Sequence, residues 1–354
     1  MTVRDNGLRN PGSIPMRIGI PRALLYYQYF PAWKTFFEEL GATVVVSPPT
    51  TQVMLSDGAS RVIADTCLPV KVFLGHVMWL KERCDRIFIP AVRSVEPKVY
   101  NCSKFLGLPD MTKAVIPEMP GMLEIEIDVN RGNGKLYRDI YSLGRTITMN
   151  PFTVKKAWRA ARQAFLDYRQ MMQDDKITPT EAIARLYPEL RDEKEGRNVS
   201  LPASRSRVAI IGHPYLIYDE YVNHRIVRRL EGMGNAVVVP EMVPLKEQIA
   251  GVKNVTGGAY WTYENEVAGA GGYYLDGDID GVIGLMAFGC GPDSLLMDMV
   301  RRYSVETKSA PFMCLTLEEH TAEAGIVTRL EAFTDMIYRK KKAETKACVL
   351  ESLI

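Results

Sequence analysis

The chain has 354 residues, of which 47% are hydrophobic, so it can bury a sizeable core and is not a disordered protein. Lys plus Arg number 44 and Asp plus Glu 42, which excludes the strong positive field of a nucleic-acid-binding protein. No apolar run reaches about 18 residues and the polar N-terminus lacks a signal-like apolar region, so we expect a cytoplasmic protein that does not enter a membrane.

Two stretches of the chain repeat one order of elements. Residues 16–48 predict a strand, a Pro-containing turn, an amphipathic helix that stops at Leu40-Gly41, and the strand TVVVS. Residues 207–240 repeat that order, with a turn at His213-Pro214 and the closing strand AVVVP. The repeat predicts an α/β protein with two Rossmann-like parallel-sheet domains related by internal duplication.

Each unit continues with further helices and strands. The first continues with a helical stretch from about Leu68 to Arg83 and the strand RIFIPAV at residues 86–92. The second continues with the strand DGVIGLMAF, a helix from Pro292 to Tyr303 and the strand PFMCLTL.

A helical connecting segment separates the two units. Residues 151–190 are helix-like, and residues 191–206 are polar without an apolar period, which places the boundary near residue 200. We therefore predict a first domain over residues 16–150, a helical connector and polar linker over 151–200, and a second domain over 201–340.

Six cysteines are too few and too irregularly placed for a disulfide framework, so metal binding or burial is favoured. Three of them follow or flank short apolar runs, in the segments DTCLPVKVF, EPKVYNCSKFLGLPD and GLMAFGCGPDS: Cys67, Cys102 and Cys290. Pro69 and Pro292 place two of these thiols at helix N-termini, where partial positive charge is expected to lower a thiol pKa. The third, Cys102, follows a strand by a short loop.

These positions predict that all three thiols lie at the carboxyl edges of the sheets, with sulfur atoms within about 7 Å of one another. Three thiolates without a neighbouring histidine pattern suit an iron–sulfur cluster with one open iron better than a zinc ion. The alternative is that all three are buried as small apolar residues.

The other three cysteines are weaker candidates. Cys84 precedes a strand and belongs to the opposite sheet edge, and Cys348 is expected in an exposed, mobile C-terminal tail. Cys314 lies in the strand PFMCLTL, where core packing is the main expectation and a position near the cluster the alternative.

Several segments resemble a known superfamily. IGIPRALLYYQYFPAWKTFFEELGA, ADTCLPVKVFLGHV, YNCSKFLGLPD, FGCGPDS and LEEHTAEAGIVTRLEAFTDM are similar to the activase-related proteins of the 2-hydroxyacyl-CoA dehydratase and benzoyl-CoA reductase superfamily. The resemblance implies Rossmann-like domains that hold a [4Fe-4S]-type cluster through Cys67, Cys102 and Cys290. It also implies an ATP-dependent activator as electron-donating partner and an acyl-CoA or other small molecule as substrate, and it leaves a homodimer open.

Two histidines could also carry chemistry. His320 lies among acidic residues in EEHTAEAG after the strand PFMCLTL, where it could move a proton with Glu319 or belong to a helix start capped by Thr321. His213 lies in the turn GHPY, which allows a ligand contact or a structural role.

An aromatic, Gly-rich stretch around Gly257, Trp261 and Tyr273 could form a lid over the site. It has neither the GxGxxG order nor the GxxxxGK[ST] of a phosphate-binding loop, so nucleotide hydrolysis by this chain is not expected.

The leading hypothesis is an iron–sulfur protein that accepts or relays low-potential electrons. One alternative is a non-catalytic scaffold or cluster-carrying partner of an activator, and another is an α/β binding protein with structural cysteines.

Overall fold

The computed structural model describes residues 15–191, 205–258 and 260–351, with side chains up to residue 343. Within these ranges the chain forms two four-stranded, all-parallel sheets with flanking helices, as the sequence predicts. No helix in the described ranges combines the length and the apolar character needed to cross a membrane.

The first sheet has the strand order β2-β1-β3-β4. Its strands are β1 (Arg17–Ile20), β2 (Thr43–Val46), β3 (Arg86–Ser94) and β4 (Gly121–Asp128). Its helices are α1 (Tyr26–Glu39), α2 (Gln52–Ala59), α3 (Leu68–Leu80), α4 (Ser103–Leu106), α5 (Leu108–Val115) and α6 (Asn133–Arg145).

Two helices follow where the sequence predicts a helical connector: α7 (Pro151–Asp175) and α8 (Pro179–Leu186). Helix α7 packs along α1, and the Tyr168 hydroxyl donates a hydrogen bond of 2.6 Å to the carbonyl oxygen of Tyr27. The connector therefore packs on the first domain.

The second sheet has the order β6-β5-β7-β8, which is the order of the first sheet. Its strands are β5 (Ser206–Gly212), β6 (Asn235–Val238), β7 (Gly281–Ala287) and β8 (Phe312–Leu317). Its helices are α9 (Pro214–Ile217), α10 (Ile226–Gly232), α11 (Leu245–Thr256), a π-helical turn (Asn265–Gly269) that runs into α12 (Ala270–Leu275), α13 (Gly291–Glu306) and α14 (Glu323–Glu351).

The shared strand order supports the predicted internal duplication. Each sheet has an apolar central strand with helices on both faces, because parallel strands that are covered on both sides need apolar residues at successive positions. The predicted boundary near residue 200 falls among residues 192–204, outside the described residues. The domain limits 16–150, 151–200 and 201–340 therefore stay predictions.

One strand was not foreseen. Strand β4, with the sequence GMLEIEID, is an edge strand that pairs only with β3. Its outward Glu124 and Glu126 accept hydrogen bonds from Lys113 and Arg131, at 2.7 and 3.0 Å. The alternation of apolar and acidic residues in this segment is the pattern of a half-buried strand, and it was the available signal.

The loops at the carboxyl edges of the two sheets contact each other. The amide of Tyr100, after β3, donates to the carbonyl oxygen of Tyr260, and the amide of Thr262 donates to that of Tyr100, at 3.2 and 3.0 Å. The Thr50 hydroxyl, after β2, donates to the carboxylate of Asp219, after β5, at 2.5 Å. The two ligand-binding edges of this fold type therefore meet at one junction.

Candidate functional site

The three candidate thiols all lie at helix starts beside the domain junction. Cys67 is the N-cap of α3, Cys102 of α4 and Cys290 of α13, and none of the three side chains caps its own helix. Each residue is partly exposed. The positions of Cys67 and Cys290 follow from the prolines in the first turns of their helices, because a proline there loses no hydrogen bond.

The pKa values of Cys67 and Cys290 respond to groups from both domains. Burial raises the pKa of Cys67; Lys104 opposes this rise, and Cys102 and Asp293 add to it. Burial raises the pKa of Cys290 well above its usual range, with further increases from Asp293 and then from Cys67. The prediction that a helix start would lower the pKa of these thiols is therefore wrong, because burial and Asp293 outweigh it.

The described residues include no group of three His, Cys, Asp or Glu side chains that could hold a metal ion. Among the described residues the thiols therefore do not form a tetrahedral single-ion site of the kind that zinc requires. The assignment of Cys67, Cys102 and Cys290 as cluster ligands stays a prediction.

A buried histidine–carboxylate pair lies beside Cys290. Asp293, in the first turn of α13, is fully buried, and its Oδ1 lies 2.7 Å from Nδ1 of His213, the N-cap of α9. The contact is close but the hydrogen-bond alignment is poor, and neither atom has another partner among the described residues. Oδ2 accepts a hydrogen bond of 3.3 Å from the amide of Ala287, which ties this carboxylate to the end of β7.

Aromatic rings from both domains surround this pair. The His213 ring stacks on Tyr215 with centroids 4.9 Å apart and meets Tyr263 edge-on at 4.6 Å. Phe105 of α4 contacts Tyr215 and Tyr263 at 6.4 and 6.1 Å. Burial raises the pKa of Tyr215, and Asp293, Cys290 and Cys102 all add to this rise, so the rings lie near two of the thiols.

Two buried polar side chains next to the site lack partners. Asn101 precedes Cys102, is 8% exposed, and has no hydrogen-bond partner at its side-chain oxygen or nitrogen within the described part of the chain. The Thr262 hydroxyl, on the segment that pairs with Tyr100, is likewise buried without a partner there. Such groups are uncommon in folded proteins, and each calls for an explanation.

The aromatic stretch of the second domain crosses the Cys102 loop. Residues 260–262 form the two main-chain hydrogen bonds with Tyr100 described above. The hydroxyl of Tyr263 donates to Oε1 of Gln28 on α1, at 2.9 Å. This stretch therefore packs against the loop that carries Cys102, and its role as a lid stays a prediction.

The predicted acidic–histidine cluster forms a link between the domains. Glu319, after β8, pairs at 2.5 Å with Nζ of Lys71, a buried residue one turn into α3. His320 is exposed, and the Thr321 hydroxyl accepts from the amide of Glu318, three residues earlier, while helix α14 begins at Glu323. The catalytic roles of His320 and Glu319 stay predictions.

The remaining cysteines lie elsewhere or outside the described side chains. Cys84 is buried at the amino edge of the first sheet, as predicted, and its thiol donates to the carbonyl oxygen of Leu80. Cys314 is exposed on the edge strand β8, so the prediction that it packs in the core is wrong. Residue 348 lies within helix α14 instead of a tail, and its side chain is outside the described residues.

A cleft of about 740 Å³ opens beside the start of α3 at the domain junction. Leu68 and Thr50 of the first domain line it, together with Arg225, Arg229 and Glu319 of the second. Its size falls within the range of small-molecule sites.

Two residues of the junction were not singled out in the sequence. Asp293 lies in the segment FGCGPDS. An acidic residue in the first turn of a helix is usually explained by its interaction with the positive end of the helix dipole. Its pairing with His213, 80 positions earlier, depends on two loops that only the fold brings together. Lys71 lies within the apolar run LPVKVFLGHV, and that interruption was the available signal of a paired buried charge.

Comparison with known families gives one match. The model of the family described as "CoA enzyme activase uncharacterised domain" matches residues 17–243, which is well over half of the chain. The chain belongs to this family. The match includes Cys67, Cys102 and His213 and ends before Cys290 and Asp293. No curated protein matches the chain.

Proposed function

We propose that this member of the CoA enzyme activase family is an iron–sulfur protein that accepts or relays low-potential electrons. Cys67 and Cys102 of the first domain and Cys290 of the second would hold a [4Fe-4S] cluster between them. The observation that supports this most is the arrangement of the thiols. Three partly exposed cysteines are each the N-cap of a helix, and they belong to two domains whose carboxyl-edge loops contact each other.

The residues around the thiols fit such a group. The free N–H groups of three helix starts can donate to cluster sulfides, and a bound cation would favour the thiolate form that burial now disfavours. The side-chain amide of Asn101, which has no partner among the described residues, lies next to Cys102 and would find an acceptor there.

The surrounding side chains would protect and tune the site. When bound, a [4Fe-4S] cluster with three thiolate ligands supplies one-electron transfer and one iron open to a further ligand. The rings of Phe105, Tyr215 and Tyr263 exclude water from the junction, and low polarity together with hydrogen bonding to sulfur sets the potential of such sites. The Asp293 carboxylate places negative charge near Cys290, which opposes gain of an electron and so lowers the potential.

We further propose a role within a system of the 2-hydroxyacyl-CoA dehydratase and benzoyl-CoA reductase type. The sequence contains no phosphate-binding loop, so an external ATP-dependent activator would deliver the electron. The cleft beside α3 could admit an acyl-CoA or another small molecule, with Glu319 in its wall and His320 next to it in sequence as candidate proton-transfer groups.

Iron loading tests the ligand assignment. The full chain, reconstituted anaerobically with iron and sulfide, should bind about four iron atoms and four sulfides per chain. Cys67→Ser, Cys102→Ser and Cys290→Ser should each lose most of the iron while keeping the wild-type circular dichroism, because an alcohol is a poor iron ligand. Cys84→Ser, at the opposite sheet edge, is the matched control and should load as wild type. Equal loading by all four variants would reject the assignment.

Reduction tests the partner. The iron-loaded protein is mixed anaerobically with its cognate activator, ATP and a low-potential donor while its visible absorption is followed. Bleaching that requires both activator and ATP is expected. Bleaching that proceeds equally well without them would reject the activator-dependent model in favour of a simple electron carrier.

A further inference from the structure

A second cavity lies in the first domain, away from the cysteines. It has a volume of about 230 Å³ and is enclosed by α1, α6, α7 and the strands β3 and β4. Trp33, Phe36, Phe88, Ile125 and Trp158 form much of its wall, and none of these residues belongs to the loops that carry the thiols. Protein interiors rarely leave space of this size, because side chains normally pack to fill it.

The wall is apolar throughout except at one point. Aliphatic and aromatic carbons form the interior, and such a cavity favours an apolar guest over water, which needs polar partners. Arg162, on α7, is the one charged residue among those that line the cavity, and it contributes its aliphatic stem to the wall. Arg162 itself is an exposed residue, so its charge can remain in solvent beside the opening.

The Arg162 side chain makes no hydrogen bond or ion pair with any described residue. Other arginines nearby have partners: Arg169 lies over the Phe165 ring, and Arg145 donates to the carbonyl oxygen of Met149. A guanidinium at the opening of an apolar cavity presents several N–H donors in the geometry that matches a carboxylate.

We propose that this cavity binds the acyl chain of a medium-chain carboxylic acid, with the carboxylate held by Arg162 at the opening. At about 30 Å³ for each water-sized group, 230 Å³ accommodates roughly seven or eight such groups, which suits a chain of about eight carbons. The apolar wall recognises the chain and the single cation recognises the charged end. The proposal is independent of the cysteine site.

Tryptophan fluorescence provides the test, with octanoate as the probe and the full chain as the sample. Two of the four tryptophans, Trp33 and Trp158, line the cavity, whereas Trp79 and Trp261 do not. Octanoate should give a saturable change in emission that Trp33→Phe and Trp158→Phe each reduce, that the double variant largely removes, and that Trp261→Phe preserves. No saturable change in the wild type, or a change that is lost only in Trp261→Phe, would overturn the proposal.

Two further variants test the cavity and the cation separately. Ala161→Leu places bulk inside the cavity and should abolish binding, whereas Ala160→Leu, on the preceding residue of the same helix, should bind as wild type. If Ala161→Leu fails to fold, as judged by circular dichroism, Ala32→Leu fills the cavity from α1 instead. Binding that survives a folded cavity-filling variant would overturn the site.

Arg162→Gln should weaken octanoate binding by up to about fivefold, as expected for a solvent-accessible ion pair, and should leave the binding of octanol unchanged. Equal affinity for octanoate in wild type and Arg162→Gln would overturn the carboxylate assignment.

Discussion

The two domains share a scaffold and differ at the edge where ligands bind. In each domain, the two helical segments before the third strand pack backbone to backbone where two glycines face each other. These are Gly58 and Gly75 in the first domain and Gly251 and Gly269 in the second. A Cβ on any of them would lie 1.9 to 2.3 Å from a backbone oxygen of the facing helix, too close for any side chain. The duplication therefore extends to the helix packing, and the differences at the edges are additions to a common frame.

The loop after the third strand carries a cysteine in both domains, but the charge beside it differs. In the first domain Lys104 follows Cys102 by two positions, and in the second Asp293 follows Cys290 by three. Lys104 lowers the pKa of Cys67, and Asp293 raises it. One half of the junction thus contributes a cation and the other a buried anion, so a ligand between the domains meets two different walls.

The largest effect is expected at the glycine crossings. Gly75→Ala and Gly251→Ala should each lower the free energy of unfolding by roughly 3 kcal/mol or more, because the added methyl would overlap backbone. Gly134→Ala, in α6 with open space around it, is the control and should be neutral or stabilising by up to about 1 kcal/mol. Denaturant unfolding measures all three. If Gly75→Ala and Gly251→Ala lower the free energy of unfolding by very different amounts, the two glycine crossings are not equivalent.

A smaller effect concerns two carboxyls buried near the junction. Burial raises the pKa of Glu241 and of Glu266 to about 7, and Glu266 also accepts two hydrogen bonds from Nε2 of Gln28 in the other domain. The folded protein binds these protons more tightly than the unfolded chain, where a Glu pKa is about 4.3. Their contribution to stability is therefore fully present below about pH 4.3 and is lost as the pH rises through about 7.

We expect the protein to be about 1–3 kcal/mol less stable at pH 8 than at pH 5 through these two groups. Glu266→Gln should flatten this slope, and Glu247→Gln, at a half-buried residue of α11, should retain it. Unfolding measured across this pH range makes the comparison. If the stability of Glu266→Gln and of Glu247→Gln changes by the same amount between pH 5 and pH 8, the assignment of this slope to Glu266 is refuted.

The smallest effect is expected at the ion pair that joins α3 to the end of β8. Although burial alone would raise the pKa of Glu319, its hydrogen bond and charge interaction with Lys71 lower it overall. Glu319→Gln leaves the buried Lys71 without its counter-charge and should cost about 1–2 kcal/mol, less than a fully buried pair because Glu319 is partly exposed. The stabilisation should disappear as the pH falls below the usual Glu range near 4.3.

Unfolding of Glu319→Gln at pH 7 and at pH 3 checks this prediction. The variant should be less stable than wild type at pH 7 and close to it at pH 3. Glu318→Gln, the exposed neighbour, is the control. A Glu319→Gln protein as stable as wild type at pH 7 would show that the pair does not hold the junction.

The sequence revealed what depends on local chemistry. The strand–helix repeats follow from the hydrophobic period, and the helix starts at Cys67 and Cys290 follow from the adjacent prolines. The positions of the three cysteines at carboxyl edges could be predicted for the same reason, because the order of elements alone fixes which sheet edge a loop occupies.

What the sequence could not reveal depends on contacts between distant loops. The His213–Asp293 pair joins residues from two βα loops. The contact between Tyr100 and residues 260–262 consists of main-chain hydrogen bonds, which leave no signature in the side-chain sequence. The direction of the pKa shifts of Cys67 and Cys290 was mispredicted because the burial that raises them depends on tertiary packing. Cys314 was placed in the core because nothing in PFMCLTL marks β8 as an edge strand.

The central claim is that thiols from both domains hold one cluster, and diffraction at the iron absorption edge tests it most directly. Crystals of the anaerobically reconstituted protein should show one iron-containing site, bonded by the sulfur atoms of Cys67, Cys102 and Cys290. An iron site bound by residues of one domain alone, or crystals of reconstituted protein without iron at this junction, would contradict the account.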